Sequence, residues 1–171
     1  MKQLLSALAV LVVVVGLAAV VHGVVTRGPR VIQPIAFNHT IHLKQAKMEC
    51  LQCHLNAQTS VSAGIPGKDV CLDCHDIDEE EGTHPQKDLL FEFDETDDDI
   101  PWQRVAVTRP DIFFSHRRHV TAAKLDCLQC HKDQETLVSP PPRARLVMSM
   151  SDCVNCHAEH GLARDCVHCH R

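Results

Sequence analysis

Five short motifs in this chain combine two thiols with an imidazole at a fixed spacing. Each is C-x-x-C-H, and together they contain all ten cysteines of the 171-residue sequence. C-x-x-C-H is the attachment signature of c-type haem, in which both thiols form thioethers with the porphyrin and the histidine ligates iron. The sequence therefore predicts five covalently bound haem c groups. In chain order, the first to fifth motifs are Cys50/Cys53/His54, Cys71/Cys74/His75, Cys127/Cys130/His131, Cys153/Cys156/His157 and Cys166/Cys169/His170.

Zinc binding and disulfide formation, two other uses of cysteine pairs, fit this pattern less well. A zinc site takes two such pairs, or one pair with two histidines, and gives no reason for a histidine directly after every pair. A disulfide scaffold would not depend on histidines at all. At the histidine frequency of this chain, five such histidines by chance are on the order of one in a few hundred thousand. The pattern favours haem.

The composition outside the N-terminal run is too polar for a large protein-only core. Tyrosine is absent, and the chain has one tryptophan and five phenylalanines. Five haems in the roughly 140 residues after the run leave fewer than about 30 residues for each haem. We therefore expect the porphyrins to form the interior and to lie close together.

A repeated segment supplies histidines that could be the second iron ligands. F-x-H-x-x-H, seven further residues and then C-x-x-C-H occur twice, with an offset of 77 residues from Phe37 to Phe114. On a helix, positions i and i+3 project to nearly the same face, so that each pair can reach two neighbouring irons. The candidate ligands are His39 and His42 in the first copy, and His116 and His119 in the second.

This arrangement resembles the class III multihaem cytochromes c, small electron carriers with two histidines on each iron. In that family the first histidine ligates the haem of the next C-x-x-C-H, and the second ligates the haem after it. The resemblance covers approximately residues 34–75 and 110–170. It implies four ligand pairs: His39 with His54, His42 with His75, His116 with His131, and His119 with His157.

The fifth haem, with His170 as its first ligand, departs from the family pattern because residues 132–152 contain no histidine. We expect His160 as its second ligand, since the segment C-H-A-E-H-G resembles that of cytochromes with doubled C-x-x-C-H motifs. The alternatives are His84 and a methionine, Met148 or Met150, which would give a haem of higher potential. His168, inside the fifth motif, is interpreted as a spectator.

The N-terminal segment reads as an export signal. Leu4 to Val21 carry no charge, and the uncharged stretch continues to Thr26. This is near the roughly 20 residues of a membrane span and longer than a typical signal-peptide core. We expect residues 1–26 to be an uncleaved transmembrane helix in the cytoplasmic membrane, with the haem portion in the periplasm. The alternative is cleavage to a soluble periplasmic protein.

An acidic stretch divides the rest of the chain. Residues 76–99 hold twelve acidic residues and one lysine. This predicts a dihaem module over 31–75, a solvated acidic linker over 76–103 and a trihaem class III-like module over 104–171. The linker is a spacer or, alternatively, a docking site for a basic redox protein. The expected fold is mostly irregular, with short α-helices packed around haem.

These features predict an electron-transfer protein rather than an enzyme. The layout resembles the membrane-anchored pentahaem subunits of quinone-linked complexes such as alternative complex III. That resemblance implies a subunit of, or a shuttle for, such a complex, with redox proteins and no nucleic acid as partners. The alternative is a multihaem enzyme of the nitrite or sulfite reductase type, in which one iron is open to substrate.

Overall fold

The computed structural model of the protein describes residues 2–27, 29–75, 87–96 and 98–170. Most helices in this part of the chain are short, as predicted, and connecting loops separate them. The α-helices are α1 (Lys2–Arg27), α2 (Cys50–Cys53), α3 (Lys68–Leu72), α4 (Lys87–Glu95), α5 (Met150–Glu159) and α6 (Cys166–Cys169). Single-turn π-helices span Ile41–Gln45 and Arg117–Ala122, and 3₁₀ turns span Cys127–Gln129 and Gln134–Thr136. The strands β1 (Ala106–Val107) and β2 (Arg145–Leu146) pair in parallel.

The transmembrane helix expected over residues 1–26 is wrong. Helix α1 forms over Lys2–Arg27, but no helix in the described ranges is both long and apolar enough to cross a bilayer.

Three of the four buried apolar side chains of the described residues form one small cluster, and the fourth, Ala57, lies outside it. Ile35, Leu90 and Ile100 lie at its centre, and Trp102 and Phe93 pack against them. Helix α4, which falls inside the predicted acidic linker, thus packs beside α3 and the second motif. The cluster therefore lies at one end of the row of motifs described below.

Hydrogen bonds hold the cluster at its edges. The Asp99 carboxylate accepts from the backbone N–H of Lys68 at 2.9 Å, where α3 begins. The indole N–H of Trp102 donates to the carbonyl of Pro66 at 3.0 Å. The polypeptide after α4 is in this way tied to the helix that carries the second motif.

The two copies of the repeat have the same backbone conformation. Each π-helix follows the first histidine of its copy, and each is followed by a lysine with a left-handed backbone. The φ angle is 57° at Lys47 and 56° at Lys124, which occupy equivalent positions in the two copies. Because residues with side chains rarely adopt this region, its recurrence shows that the copies share one local fold.

The two copies also exchange equivalent hydrogen bonds. The N–H of Thr40 donates to the carbonyl of Leu137 at 3.1 Å, and the N–H of Arg117 donates to the carbonyl of Ser60 at 3.0 Å. Both donors and both acceptors are related by the offset of the repeat. The histidine segment of each copy therefore docks on the loop that follows the C-x-x-C-H motif of the other copy.

Candidate haem sites

Each C-x-x-C-H motif is arranged around one turn of helix. In four motifs the N–H of the histidine bonds to the carbonyl of the first cysteine, four residues earlier. In the fourth motif the whole sequence lies within α5, which begins with a capping box at Ser149. Both thiols thus lie along one turn, with the imidazole directly after them. The four N···O distances are His54 to Cys50, 2.9 Å; His75 to Cys71, 3.0 Å; His131 to Cys127, 2.9 Å; and His170 to Cys166, 2.8 Å.

All ten cysteines are free in the structure. The disulfide alternative therefore has no support, and every thiol is available for a thioether. Burial raises the pKa of the Cys71 thiol to about 11, and burial followed by the nearby Cys127 raises the pKa of Cys50 to about 11. At neutral pH these two groups are therefore thiols in the structure as it stands.

Three of the four histidine pairs implied by the family resemblance come together in the structure. In each pair one ring belongs to a C-x-x-C-H motif and the other belongs to the repeated F-x-H-x-x-H segment. The distances between ring centroids are 6.1 Å for His42 and His75, 6.4 Å for His116 and His131, and 6.3 Å for His119 and His157.

This spacing fits a metal ion between the two rings. Two metal–nitrogen bonds of about 2 Å, with a distance of roughly 1.1 Å from each nitrogen to its ring centre, give a centroid separation of roughly 6 to 6.5 Å. The observed separations lie in this range. The residues present therefore fit an iron with two axial imidazoles, although the assignment of each pair as ligands remains a prediction.

In the fourth pair, His39 is largely buried and lies within electrostatic reach of His54. Burial, followed by the neighbouring His54 and His42, lowers the pKa of His39 to about 4. The imidazole is therefore neutral at pH 7, which is the form that ligates a metal. Its Nδ1 atom is buried and has no hydrogen-bond partner within the described residues.

Hydrogen bonds at Nδ1 orient five of these histidines. A backbone carbonyl can only accept, so Nδ1 carries the proton and Nε2 presents its lone pair. This is the tautomer that a metal-ligating histidine adopts when its other nitrogen donates to an oxygen. The pairs are His42 with Asn38, 2.9 Å; His54 with Gly64, 2.9 Å; His116 with Val61, 3.0 Å; His119 with Ser115, 2.8 Å; and His157 with Ala163, 3.2 Å.

Candidate ligands meet in twos rather than in larger clusters. Over the residues that the structure describes, no three side chains of histidine, cysteine, aspartate or glutamate converge as a metal cluster. A structural zinc site needs four such ligands from the protein. A haem iron needs two, because the porphyrin supplies the other four nitrogens.

The fifth motif is the exception among the histidine pairs. The structure places His170 against Asp111 and, in the described ranges, against no second imidazole. His160 ends α5 as its C-terminal cap, and its N–H bonds to the carbonyl of Cys156 at 3.2 Å. Met150 is 69% exposed at the start of α5, and Met148 is half-buried. The remaining candidate, His84, lies outside the described residues.

Neighbouring thiols place the five motifs in a row. In each of the following pairs, a thiol of one motif lies within electrostatic reach of a thiol of another. Taken together, the pairs give the order second, first, third, fourth, fifth. The pairs are Cys53 with Cys71 and Cys74, Cys50 with Cys127, Cys130 with Cys156, and Cys153 with Cys169.

Comparison with known proteins bears on the class of protein. No protein-family model matches the chain. Over 105 residues it is 33% identical to the multihaem cytochrome c subunit of menaquinone reductase from Nitratidesulfovibrio vulgaris. The similarity supports a multihaem cytochrome c. The match covers 60% of this chain and 47% of that protein, so the chain spans about half the length of its relative.

One residue beside the fifth motif, Asp111, was not predicted from the sequence. Asp111 contacts His170 at 3.0 Å, although 59 positions separate them. An isolated bridge between Ile112 and His170 and a bond from the N–H of Phe113 to the carbonyl of Cys169 hold the two segments together. Asp111 belongs to no motif, so only the folded chain identifies it.

Proposed function

We propose that this chain is a pentahaem c-type cytochrome that transfers electrons and catalyses no reaction of its own. The observation that carries this proposal is the pairing of motif histidines with the histidines of the repeat at ring separations that fit an intervening iron. Haem supplies a one-electron couple between ferric and ferrous iron. The polypeptide would hold and orient that group.

Each residue type has a separate task in this proposal. The ten cysteines anchor the porphyrins covalently, and the five motif histidines are the first axial ligands. His39, His42, His116 and His119 are the second ligands of four irons, and His160 is the second ligand of the fifth. The backbone carbonyls at Nδ1 fix the ring orientation and the tautomer. Both axial ligands are neutral, so they would add no charge to the haem in either redox state.

The row of motifs supports electron transfer along the molecule. A porphyrin is fixed to its two thiols, so thiols from neighbouring motifs that lie side by side bring their porphyrins close together. The first and third motifs adjoin at the centre, where the two copies of the repeat dock on each other. The path is then unbranched, and the haems of the second and fifth motifs are its ends.

A quinone-linked respiratory complex is the proposed setting. The relative named above is a subunit of a menaquinone reductase, and this chain would act as a subunit of, or a shuttle for, a complex of that kind. Haem c is attached after export, so the haem portion would lie in the periplasm. The partners would be redox proteins.

Binding of external ligands tests this proposal against the enzyme alternative. Carbon monoxide binds ferrous iron and cyanide binds ferric iron only where a coordination position is open or easily vacated. With two histidines on every iron, we expect the absorption spectrum of the reduced protein to stay unchanged under carbon monoxide. Rapid binding at one iron per chain would instead favour a multihaem enzyme with an open site.

A further inference from the structure

The fifth motif differs from the first and fourth motifs in the hydrogen bond made by its histidine. The Nδ1–H of His170 donates to the carboxylate Oδ2 of Asp111 at 3.0 Å. The five histidines described above donate to neutral backbone carbonyls instead. His170 is thus a candidate iron ligand whose Nδ1–H donates to an anion.

The position of Asp111 is fixed by the fold. The bridge at Ile112 and the bond from Phe113 to Cys169, at 2.7 Å, lie directly after it in the chain. The other carboxylate oxygen, Oδ1, accepts from the Nε–H of Arg109 at 3.3 Å. The carboxylate therefore lies between one cation and one imidazole, and its side chain remains 40% exposed.

An anionic acceptor changes the electronic character of the imidazole. It draws the Nδ1 proton towards itself, which makes Nε2 a stronger electron donor to a bound metal. Stronger donation and a nearby negative charge both stabilise ferric iron relative to ferrous iron. Reduction adds one electron to the iron while His170 keeps its proton, so the reduction potential falls.

We propose that Asp111 is a positioning residue that holds His170 through an anionic hydrogen bond and lowers the reduction potential of the haem bound at the fifth motif. This rests on the proposed function in one respect, that His170 ligates a haem attached to Cys166 and Cys169. Arg109 moderates the effect by neutralising part of the carboxylate charge. The row of haems then has a low-potential group at its C-terminal end, where a reduced partner can donate an electron.

Substitution of Asp111 in the full-length haem-loaded protein tests this inference. In Asp111→Asn the amide oxygen can still accept the hydrogen bond but carries no charge. We expect the equilibrium constant for reduction of one haem to rise about tenfold, equivalent to about 59 mV for a one-electron couple. Potentiometric titration measures this change, and the hyperfine-shifted NMR signals of His170 assign it to the fifth haem.

Three further variants separate the charge from general disturbance of the fold. Arg109→Gln should lower the same potential, because it removes the neutralising cation. Asp111→Glu should keep the potential closer to that of the unmodified protein than Asp111→Asn does. Asp165→Asn is the matched control, because Asp165 lies 3.5 Å from His168, which is not a proposed ligand. Because this carboxylate is exposed and contacts no proposed ligand, the variant should change the potential less than Asp111→Asn does.

Haem content distinguishes the two ways in which these claims could fail. If the unmodified protein carries no haem at the fifth motif, the proposed function is wrong for this motif. Five haems together with an unchanged potential in Asp111→Asn would overturn the role of Asp111 alone. If Asp111→Asn does not fold, Arg109→Gln provides the test instead. An unchanged or raised potential in that variant would overturn the role of Asp111.

Discussion

In six of the candidate ligands, a single hydrogen bond at Nδ1 determines which ring nitrogen is free. Carbonyl oxygens accept the Nδ1 proton of His116 and His119 at 3.0 and 2.8 Å. The same rings face His131 and His157 at separations that fit an iron between them. Tautomer and spacing thus favour one chemistry, ligation through Nε2.

Replacement of one such ligand should change a single haem. In His116→Met, the iron proposed to bind His131 would acquire one histidine and one methionine ligand. Axial methionine raises the potential, and we expect a rise on the order of 0.1 V, within the roughly 0.8 V that axial ligands span. Redox titration followed by absorbance measures it.

His168→Met is the control for this experiment, because the side chain of His168 is 57% exposed and contacts Asp165 rather than a proposed ligand. All five potentials should be retained in this variant. A potential that stays fixed in His116→Met, or one that moves equally in the control, would contradict the assignment of His116 as a ligand.

The spacing of motifs made most candidate ligands predictable from the sequence. Cysteine pairs followed by histidine, and histidines three residues apart, can be recognised from their spacing in the sequence alone. Asp111 has no such signature, because its contact depends on a bridge between segments 59 positions apart. The second ligand of the fifth iron is not fixed by spacing either, and His160 stays a prediction.

At the scale of elements, the small cluster around α3 and α4 is the part of the described chain where apolar side chains pack against one another. Leu90 is 4% exposed and lies against Ile35 and Ile100. The cluster covers the second motif and leaves the fifth motif, on the exposed helix α6, without an equivalent cover in the described ranges. The two ends of the row therefore differ in their protein environment.

Truncation of Leu90 should loosen this end of the molecule. Leu90→Ala removes buried methyl groups and leaves a cavity, at a cost of about 2 to 5 kcal/mol. We expect faster amide hydrogen exchange in α4 and α3, and unchanged exchange in α5. Mass spectrometry of peptides from the exchanged protein measures both regions.

Leu162→Ala provides the comparison for Leu90→Ala. Leu162 is 55% exposed and so loses little packing on truncation. Equal exchange rates in the two variants would contradict a stabilising role for the cluster.

Helix α4 shows why the elements were harder to predict than the ligands. The charge of residues 76–103 predicts a linker, and the apolar residues within it predict only a local packing patch. Leu90 and Phe93 lie three positions apart, as one face of a helix requires, and both belong to the cluster. The N-terminal run illustrates the opposite difficulty. Its composition suggested a membrane span, and the described helices include none that is long and apolar enough.

At the scale of the whole molecule, two copies of one segment dock on each other through equivalent contacts. Thr40 bonds to Leu137, and Arg117 bonds to Ser60. A further hydrogen bond joins the same parts of the chain. The hydroxyl of Thr121 donates to the carbonyl of Gln58 at 2.7 Å. The repeat was visible in the sequence, but its docking was not, since an offset carries no information about which surfaces meet.

Cleavage of the acidic stretch should leave the two halves together. A protease site introduced within residues 76–86 would cut the chain between the first two motifs and the last three. The contacts between the copies do not depend on that connection, so we expect the cut protein to elute as one species in size-exclusion chromatography. Separation into two fragments at native salt would show that the docked copies depend on the intact chain.

The number of haems attached to each polypeptide is the quantity on which the proposed interior of this molecule depends. Intact-mass spectrometry of the chain, purified from a host that attaches haem c, measures this number directly, and a pyridine haemochrome spectrum identifies the thioether linkage. We predict five haems on every chain and no unmodified cysteine. A folded chain that carries fewer than five, or that retains free thiols at any of the five motifs, would contradict an interior built from porphyrins.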